Sequence, residues 1–250
     1  MTIANFTHEF AVTYSRALPR IIYRSTLSCL LNPKGSQRFI HQVLDACDIE
    51  ENDPVLGSVE IADLFPGTDE VILNGSFHIR AGGATQSLLE LGVLAHVARS
   101  LRPNNIFEIG TFIGRTTRIL AANSPETARV LTIDLPQEQV QHLIGKDYIG
   151  TQEASKIVQL VGDSTLFDYS PWHGKCDFVW VDGCHEYPFV LADTAHALRL
   201  CRPGGWIGWH DYRQTAWWSG VTKHVREIAV QLKNVRHVRG TIMVLGQLPE

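Results

Sequence analysis

Short apolar runs alternate with segments of helical periodicity along the last two thirds of the chain. The apolar runs predict strands at about residues 105–110, 129–134, 156–162, 176–182, 205–210, 234–240 and 241–247, and the helical segments lie at about 85–101, 114–123, 137–144, 187–201 and 220–232. This alternation is typical of a parallel sheet with helices on both faces. We therefore predict an α/β, Rossmann-like, doubly wound sheet of seven strands. Since only a turn near Gly240 separates the last two strands, one of them must run antiparallel.

The first 83 residues have a different pattern and are interpreted as an N-terminal extension to a domain of residues 84–250. Between residues 14 and 38 the charged side chains are all basic, and residues 45–70 carry only acidic ones. A short helix is predicted at 36–47, followed by a loop-rich stretch. The basic arm fits packing on the acidic segment or on a second subunit, and a membrane surface or an acidic partner is the alternative.

The composition of the chain indicates which partners and which cellular location are to be expected. The net charge of −4 and the pI near 6.2 give no broad basic surface, which argues against nucleic acid as a partner. Five cysteines without framework spacing fit a reducing, cytoplasmic location. We expect no signal peptide and no stable membrane insertion, because no basic region precedes an apolar one at the start and no apolar run approaches the ~18–20 residues needed to span a bilayer.

The segment around Gly110 predicts a ligand-binding turn. A strand ends after the acidic Glu108, breaks at Gly110 and continues into a helix after Gly114. Such a turn lets the backbone approach a ligand and points free N–H groups at it. A dinucleotide fingerprint needs a further glycine where this chain has Phe112. The ring argues against a pyrophosphate and leaves room for a nucleoside ligand without one.

Polar side chains follow four later strands, at the edge where open α/β sheets bind ligands. Asp134 lies at the end of the second strand of the domain, where ribose hydroxyls are held in nucleoside-binding sheets. The next three strands lead to Asp163 with Ser164, to Asp182 with His185, and to His210 with Asp211. These acids and histidines are the candidate functional residues.

Taken in order, these five motifs resemble the class I S-adenosylmethionine-dependent methyltransferases over residues 84–248. The glycine turn is similar to that of the catechol and caffeoyl-coenzyme A O-methyltransferases, and the stretch 181–187 is closer to a bacterial family of small-molecule methyltransferases. The resemblance implies that Asp134 binds ribose, that Asp163 accepts from the adenine amino group, and that Glu108 and Gly110 lie near the methionine part. The cofactor-binding residues it implies are Glu108, Gly110, Thr111, Phe112, Gly114, Thr116, Asp134, Leu135, Gly162, Asp163, Ser164 and Asp182. Gly110 is expected to leave no room for a side chain because the cofactor lies against it.

The resemblance also implies a catalytic group formed by Asp182, His185 and Asp211. The two aspartates match metal-binding positions of the cation-dependent O-methyltransferases, and His185 stands where those enzymes have their catalytic lysine. Their third ligand, an asparagine, is Tyr212 in this chain, so water or His210 would have to complete a site for Mg²⁺ or another divalent cation. A neutral histidine that removes the proton directly is the second route. The matching aspartates favour the metal.

The sequence therefore predicts an enzyme that transfers a methyl group from S-adenosylmethionine to a hydroxyl of a small molecule, of natural-product, sugar or phenolic type. An NAD-dependent oxidoreductase and a non-catalytic nucleoside-binding protein are the alternatives on the same sheet. The sequence names no acceptor, and it leaves a homodimer open.

Overall fold

The computed structural model describes residues 52–68, 70–74, 86–213 and 219–250. All of them belong to one compact unit, Cys47–Glu250. The basic arm and the helix predicted at 36–47 lie outside the described residues. Within the described part, no helix is long and apolar enough to span a bilayer; the two longest, of 14 residues each, are far shorter than a span requires.

One mixed sheet of eight strands organises the described residues. The strands are β1 (Ser58–Val59), β2 (Asn105–Ile109), β3 (Arg129–Asp134), β4 (Ile157–Val161), β5 (Cys176–Val181), β6 (Cys201–Trp209), β7 (Lys233–Val238) and β8 (Val244–Gln247). Their order across the sheet is β1-β7-β8-β6-β5-β2-β3-β4. β8 runs antiparallel to both β6 and β7, and the other neighbouring pairs are parallel. The predicted Rossmann-like fold and its reversed last strand are confirmed.

The prediction of seven strands is wrong by one, because β1 adds an eighth at the edge beside β7. β1 has only two residues, Ser58 and Val59, which is too short for any hydrophobic period to show in the sequence. This strand lies in the segment that the sequence assigns to the extension. The domain boundary at residue 84 stays a prediction, although residues 58–59 belong to the sheet.

Five α-helices flank the described sheet: α1 (Ile61–Leu64), α2 (Leu88–Leu101), α3 (Arg115–Asn123), α4 (Tyr187–Leu200) and α5 (Gly220–Ile228). The helix predicted at 137–144 is wrong, since only a 3₁₀ turn at Gln137–Gln139 forms there. The Gln137 side chain explains the difference. Its amide donates to the His142 carbonyl at 2.6 Å and accepts from the Ile144 N–H at 3.1 Å, so it takes backbone groups that a helix would pair with each other.

The central strands are buried on both faces, as a parallel sheet requires. On one face Phe107, Val179 and Trp209 belong to a core that includes residues of α4 and α5. On the other face Ile106 and Trp180 pack in a core with residues of α2 and α3. Because both faces are covered, ligands can approach the sheet only along the ends of its strands. The carboxyl ends of β2 to β6 lie side by side along one of these two rows of strand ends.

Candidate active site

The glycine turn after β2 is held between its neighbouring strands. The Gly110 N–H donates to the Ile133 carbonyl at 3.0 Å, and the Asp182 N–H donates to the Ile109 carbonyl at 2.8 Å. Gly110 has φ +100°, and a Cβ there would overlap the carbonyl group of Asp182. Gly110 therefore leaves no room for a side chain, as predicted, but the obstacle is the protein's own backbone rather than a ligand.

Gly114 makes room for a tyrosine from the next loop. It has φ +79°, and a Cβ on it would meet the ring of Tyr148. Gly145 touches the same ring from its own loop, and the Tyr148 hydroxyl donates to Gln159 Oε1 at 2.5 Å. The loop that follows β3 is thus packed onto the start of α3, which fixes the turn from outside.

Side-chain hydrogen bonds connect the glycine turn to β2, β3, β4 and α3. Gln159 Nε2 donates to Thr111 Oγ1 at 3.0 Å, and the Thr111 and Thr132 hydroxyls lie 2.7 Å apart. Thr132 and Thr117 both donate to Glu108 Oε2, at 2.6 and 2.5 Å. Because Glu108 has no exposed surface, its carboxyl group lies behind the turn and supports it. Direct contact of Glu108 and Thr111 with a cofactor stays a prediction.

The other oxygen of Glu108 is buried and has no hydrogen-bond partner in the described part of the chain. Burial, together with the nearby charges of Asp182 and Asp134, raises the pKa of Glu108 to about 8, although the hydrogen bonds from Thr117 and Thr132 oppose the shift. The carboxyl group is therefore protonated at neutral pH as long as no cation lies beside it. A positively charged ligand in the turn would restore its charge.

Asp134 is oriented toward the turn by two backbone groups. The Phe112 N–H donates to its Oδ2 at 2.7 Å and the Leu135 N–H to its Oδ1 at 2.8 Å. Each carboxylate oxygen keeps a further acceptor site. Phe112 and Leu135 are exposed by 41% and 38%, so apolar side chains border this acid.

The remaining predicted cofactor residues lie after β4 and on α3. The exposed Asp163 accepts from the N–H and the hydroxyl of Thr165 at 2.8 and 2.7 Å, and these hydrogen bonds lower the pKa of Asp163. A Cβ at Gly162 would lie 3.1 Å from the Phe167 ring. Ser164 is half-buried and its carbonyl accepts from Tyr169, whereas the buried Thr116 hydroxyl has no partner among the described residues.

Two aspartates and two histidines converge beside the turn, at the ends of β5 and β6. His185 Nε2 lies 2.9 Å from Asp211 Oδ2, and its side chain is 60% exposed. His210 Nδ1 lies 3.0 Å from the same Asp211 oxygen and 3.3 Å from Asp182 Oδ1. Although burial opposes ionisation of Asp211, hydrogen bonds from both histidines hold its pKa well below the usual range. The hydrogen bond to Asp211 raises the pKa of His185.

The surroundings of His210 favour its protonated form. Its Nδ1 faces Asp182 and Asp211, and its Nε2 lies 3.3 Å from Glu90 Oε1 without a well-directed hydrogen bond. Burial lowers the pKa of His210, but the three carboxylates outweigh it and raise the pKa well above 6.5.

The contribution of α2 to this cluster was not predicted from the sequence. Gln86 Nε2 donates to Asp182 Oδ2 at 2.5 Å, and Glu90 contacts His210. Ser87 and Glu90 form a capping box, in which each side chain accepts from the other's backbone N–H. A capping box can be recognised in a sequence as the start of a helix. Nothing in the sequence places it beside a strand end more than one hundred residues away.

Three residues of the cluster have suitable donors for a divalent cation. One atom each of Asp182, His185 and Asp211 lie within 4.8 Å of one another. Tyr212, which stands where the resemblance implies an asparagine ligand, turns away. Its ring is fully buried and its hydroxyl donates to Asp53 at 2.6 Å.

Known proteins resemble this chain in one domain family and in fold. Residues 107–212 match a family described as a methyltransferase domain. No curated protein matches the chain in sequence. Among solved structures, the O-methyltransferase TomG from Streptomyces achromogenes, in complex with S-adenosylmethionine, is similar at 21% identity and a TM-score of 0.53, over 66% of this chain and 82% of that one.

Two further structures are similar in fold. An O-methyltransferase from Bacillus cereus, in complex with S-adenosylhomocysteine, is 18% identical with a TM-score of 0.51, over 66% of this chain and 82% of that one. The methyltransferase PaMTH1 from Podospora anserina, with S-adenosylhomocysteine bound, is 13% identical with a TM-score of 0.51, over 66% and 80%. Residues 107–212 therefore match a methyltransferase domain, and the chain has the fold of these methyltransferases.

Proposed function

We propose that this protein is an S-adenosylmethionine-dependent O-methyltransferase that acts on a hydroxyl of a small molecule. The observation that carries the proposal is the position of the His185–Asp211 pair beside the glycine turn, whose Phe112 N–H holds Asp134. A nucleoside-binding protein without catalysis has no use for an exposed histidine paired with a half-buried aspartate. Phe112, in place of a glycine, disfavours a dinucleotide.

The charges around the turn suit this cofactor. S-adenosylmethionine carries a sulfonium and an ammonium group, and the turn offers Glu108, Asp134 and Asp182, with an unpartnered buried oxygen on Glu108. Asp134 would hold the ribose, Asp163 the adenine amino group, and the backbone of residues 110–114 the methionine part. When bound, the cofactor supplies a methyl group on a positively charged sulfur. No basic side chain lies among these predicted cofactor residues.

His185 is the base that we propose for the acceptor. If its Nε2–H donates to Asp211, its Nδ1 keeps a lone pair. His185 then takes the proton of the acceptor hydroxyl as the oxygen bonds to the methyl carbon, whose bond to sulfur breaks. The products are the methyl ether, S-adenosylhomocysteine and protonated His185, which returns its proton to water. Asp211 stabilises the imidazolium.

The metal route is the alternative. Asp182, His185 and Asp211 would hold the ion, which would lower the pKa of the acceptor hydroxyl. We favour the histidine because its side chain is exposed and its Nε2 lies 2.9 Å from Asp211 Oδ2, so that a base is in position without an ion. The matching aspartates, for which the sequence favours the metal, keep the metal route as the alternative.

Methyl transfer can be tested with isotope-labelled cofactor. The protein is incubated with S-adenosylmethionine labelled in the methyl group and a panel of catechols, other phenols and sugars, and the products are analysed by mass spectrometry. We expect label on an acceptor oxygen together with release of S-adenosylhomocysteine. Label found on nitrogen or carbon would contradict the choice of oxygen.

Asp134→Ala should weaken binding of S-adenosylhomocysteine by roughly ten- to a hundred-fold, because a buried hydrogen-bond acceptor contributes about 1–3 kcal/mol. Asp163→Ala should lie at the lower end, since Asp163 is exposed. Calorimetric titration measures both. Asp177→Ala is the matched control: this aspartate also accepts two backbone N–H groups, but at the opposite edge of the sheet. Unchanged affinity in both variants would refute the cofactor assignment.

Glu108→Gln should change both the pH dependence of stability and the proton release on cofactor binding. Because the pKa of Glu108 is raised to about 8 from 4.5, the folded protein holds a proton that the unfolded chain releases between these values, so stability falls as pH rises through that window. The glutamine variant should lose this dependence and melt higher than the parent at pH 8.

Cofactor binding at pH 7 should release a proton in the parent and none in the Glu108→Gln variant. Calorimetry in two buffers of different ionisation enthalpy measures this release. Equal proton release would contradict this assignment.

A further inference from the structure

Asp211 has a backbone conformation that its neighbours must hold. Its φ is +60°, in the left-handed region, which residues other than glycine adopt at a cost in free energy that is lower for aspartate than for most others. Its side chain accepts from His185 and His210, so this conformation aims the carboxylate at both histidines. What fixes the next residue along the chain therefore fixes Asp211.

That next residue, Tyr212, is anchored at both ends. Its N–H donates to the Ile242 carbonyl at 3.0 Å, and the ring is fully buried. At the far end its hydroxyl donates to Asp53 Oδ2 at 2.6 Å and accepts from Arg226 Nε at 2.9 Å. The tyrosine thus reaches from the end of β6, where Asp211 lies, to the buried Asp53 and the half-buried Arg226.

Asp53 ties this anchor to the segment before the sheet. Its Oδ1 accepts from the N–H groups of Val55 and Leu56, each at 2.7 Å, and its carbonyl accepts from Gly57 at 2.9 Å. β1 follows directly and pairs with β7. The Asp53 side chain has no exposed surface, and although burial opposes its ionisation, the Tyr212 hydrogen bond and the backbone donors lower its pKa. A buried, ionised aspartate therefore receives the tyrosine.

We infer that Tyr212, held by Asp53 and Arg226, is a positioning residue that keeps Asp211 aimed at His185. The inference rests on the proposed function. The segment 52–59 then supports the active site through Asp53 and Tyr212, without supplying a binding or catalytic group. It also explains why the chain has a tyrosine where a metal ligand would be expected.

The test uses Tyr212→Phe and Asp53→Asn in the full chain. Each should lower kcat by about 10- to 100-fold, as small displacements of catalytic groups do, with KM for S-adenosylmethionine unchanged. Asp177→Asn is the matched control, since Asp177 likewise binds two backbone N–H groups and an arginine, Arg202. It should lower the melting temperature and leave kcat at the parent value. A merely structural role predicts the same kcat in all three variants.

A double-mutant cycle distinguishes action through Asp211 from an independent effect. In an Asp211→Asn background, Tyr212→Phe should cause little further loss, because the group it positions is already gone. Losses that multiply would overturn the inference. If Tyr212→Phe does not fold, the same cycle with Asp53→Asn decides.

Amide hydrogen exchange keeps the inference testable if the parent methylates no acceptor, a result that would count against the proposed function alone. The Tyr212 and Arg213 N–H groups donate to the Ile242 carbonyl and to Thr222 Oγ1. Both should exchange at least 10-fold faster in Tyr212→Phe, and at the parent rate in Asp177→Asn. Parent-like exchange in Tyr212→Phe would overturn the inference.

Discussion

Replacing His185 with alanine should lower kcat by about 100- to 10,000-fold, the range that a general base contributes. The dissociation constant of S-adenosylhomocysteine should stay within about threefold of the parent value, because His185 is not among the residues proposed to hold the cofactor. Steady-state kinetics and calorimetry measure the two quantities. Chelators should leave the parent's activity unchanged.

The pH dependence of kcat tests whether His185 acts as a neutral base. A base must be neutral to act, and the hydrogen bond to Asp211 raises the pKa of His185 above 6.5, so activity should fall on acidification with a midpoint above that value. Asp211→Asn should shift the midpoint down toward 6.5. If chelation abolishes activity and Mg²⁺ restores it, the metal route operates and the base assignment is wrong.

Gly110→Ala should destabilise the protein strongly, and not only impair cofactor binding. An alanine would have to adopt φ +100° and push its Cβ into the Asp182 carbonyl, so the loop after β5 must move. Gly67→Ala is the matched control, since Gly67 has φ +88° and nothing within 4 Å of its Cβ position. That control should lose only about 1–2 kcal/mol, the cost of the left-handed backbone.

Thermal unfolding of the two apoproteins measures this difference. Gly110→Ala should melt several degrees below Gly67→Ala. Equal melting temperatures would show that the loop of Asp182 yields easily, and the glycine would then be needed only for the ligand.

The sequence predicted the parts of the fold that depend on local pattern. Apolar runs marked β2 to β6 and β8, Val235 and Val238 marked the more polar β7, and the absence of a helix between the last two strands predicted the antiparallel one. Because carboxyl ends of parallel strands share an edge, the sequence also predicted that Asp182 and Asp211 would converge, and the two contact the same His210 nitrogen.

The contacts that the sequence did not predict join residues far apart in the chain. Glu90 lies 3.3 Å from His210, and Asp53 receives the hydroxyl of Tyr212. Neither acid has a motif around it that specifies its partner, so only the folded chain brings them together. The charge of His210 likewise depends on three carboxylates from three separate elements.

A crystal structure of the protein soaked with S-adenosylhomocysteine and Mn²⁺ tests the central claim most directly. The proposed function predicts the ribose hydroxyls on Asp134, the adenine beside Asp163, and the sulfur next to the Asp182–His185 side of the cluster. The histidine route needs no ion for turnover, so it predicts no anomalous scattering from manganese between Asp182 and Asp211. Ligand density away from the glycine turn would contradict the cofactor assignment, and a manganese peak on the two aspartates would contradict the proposed base.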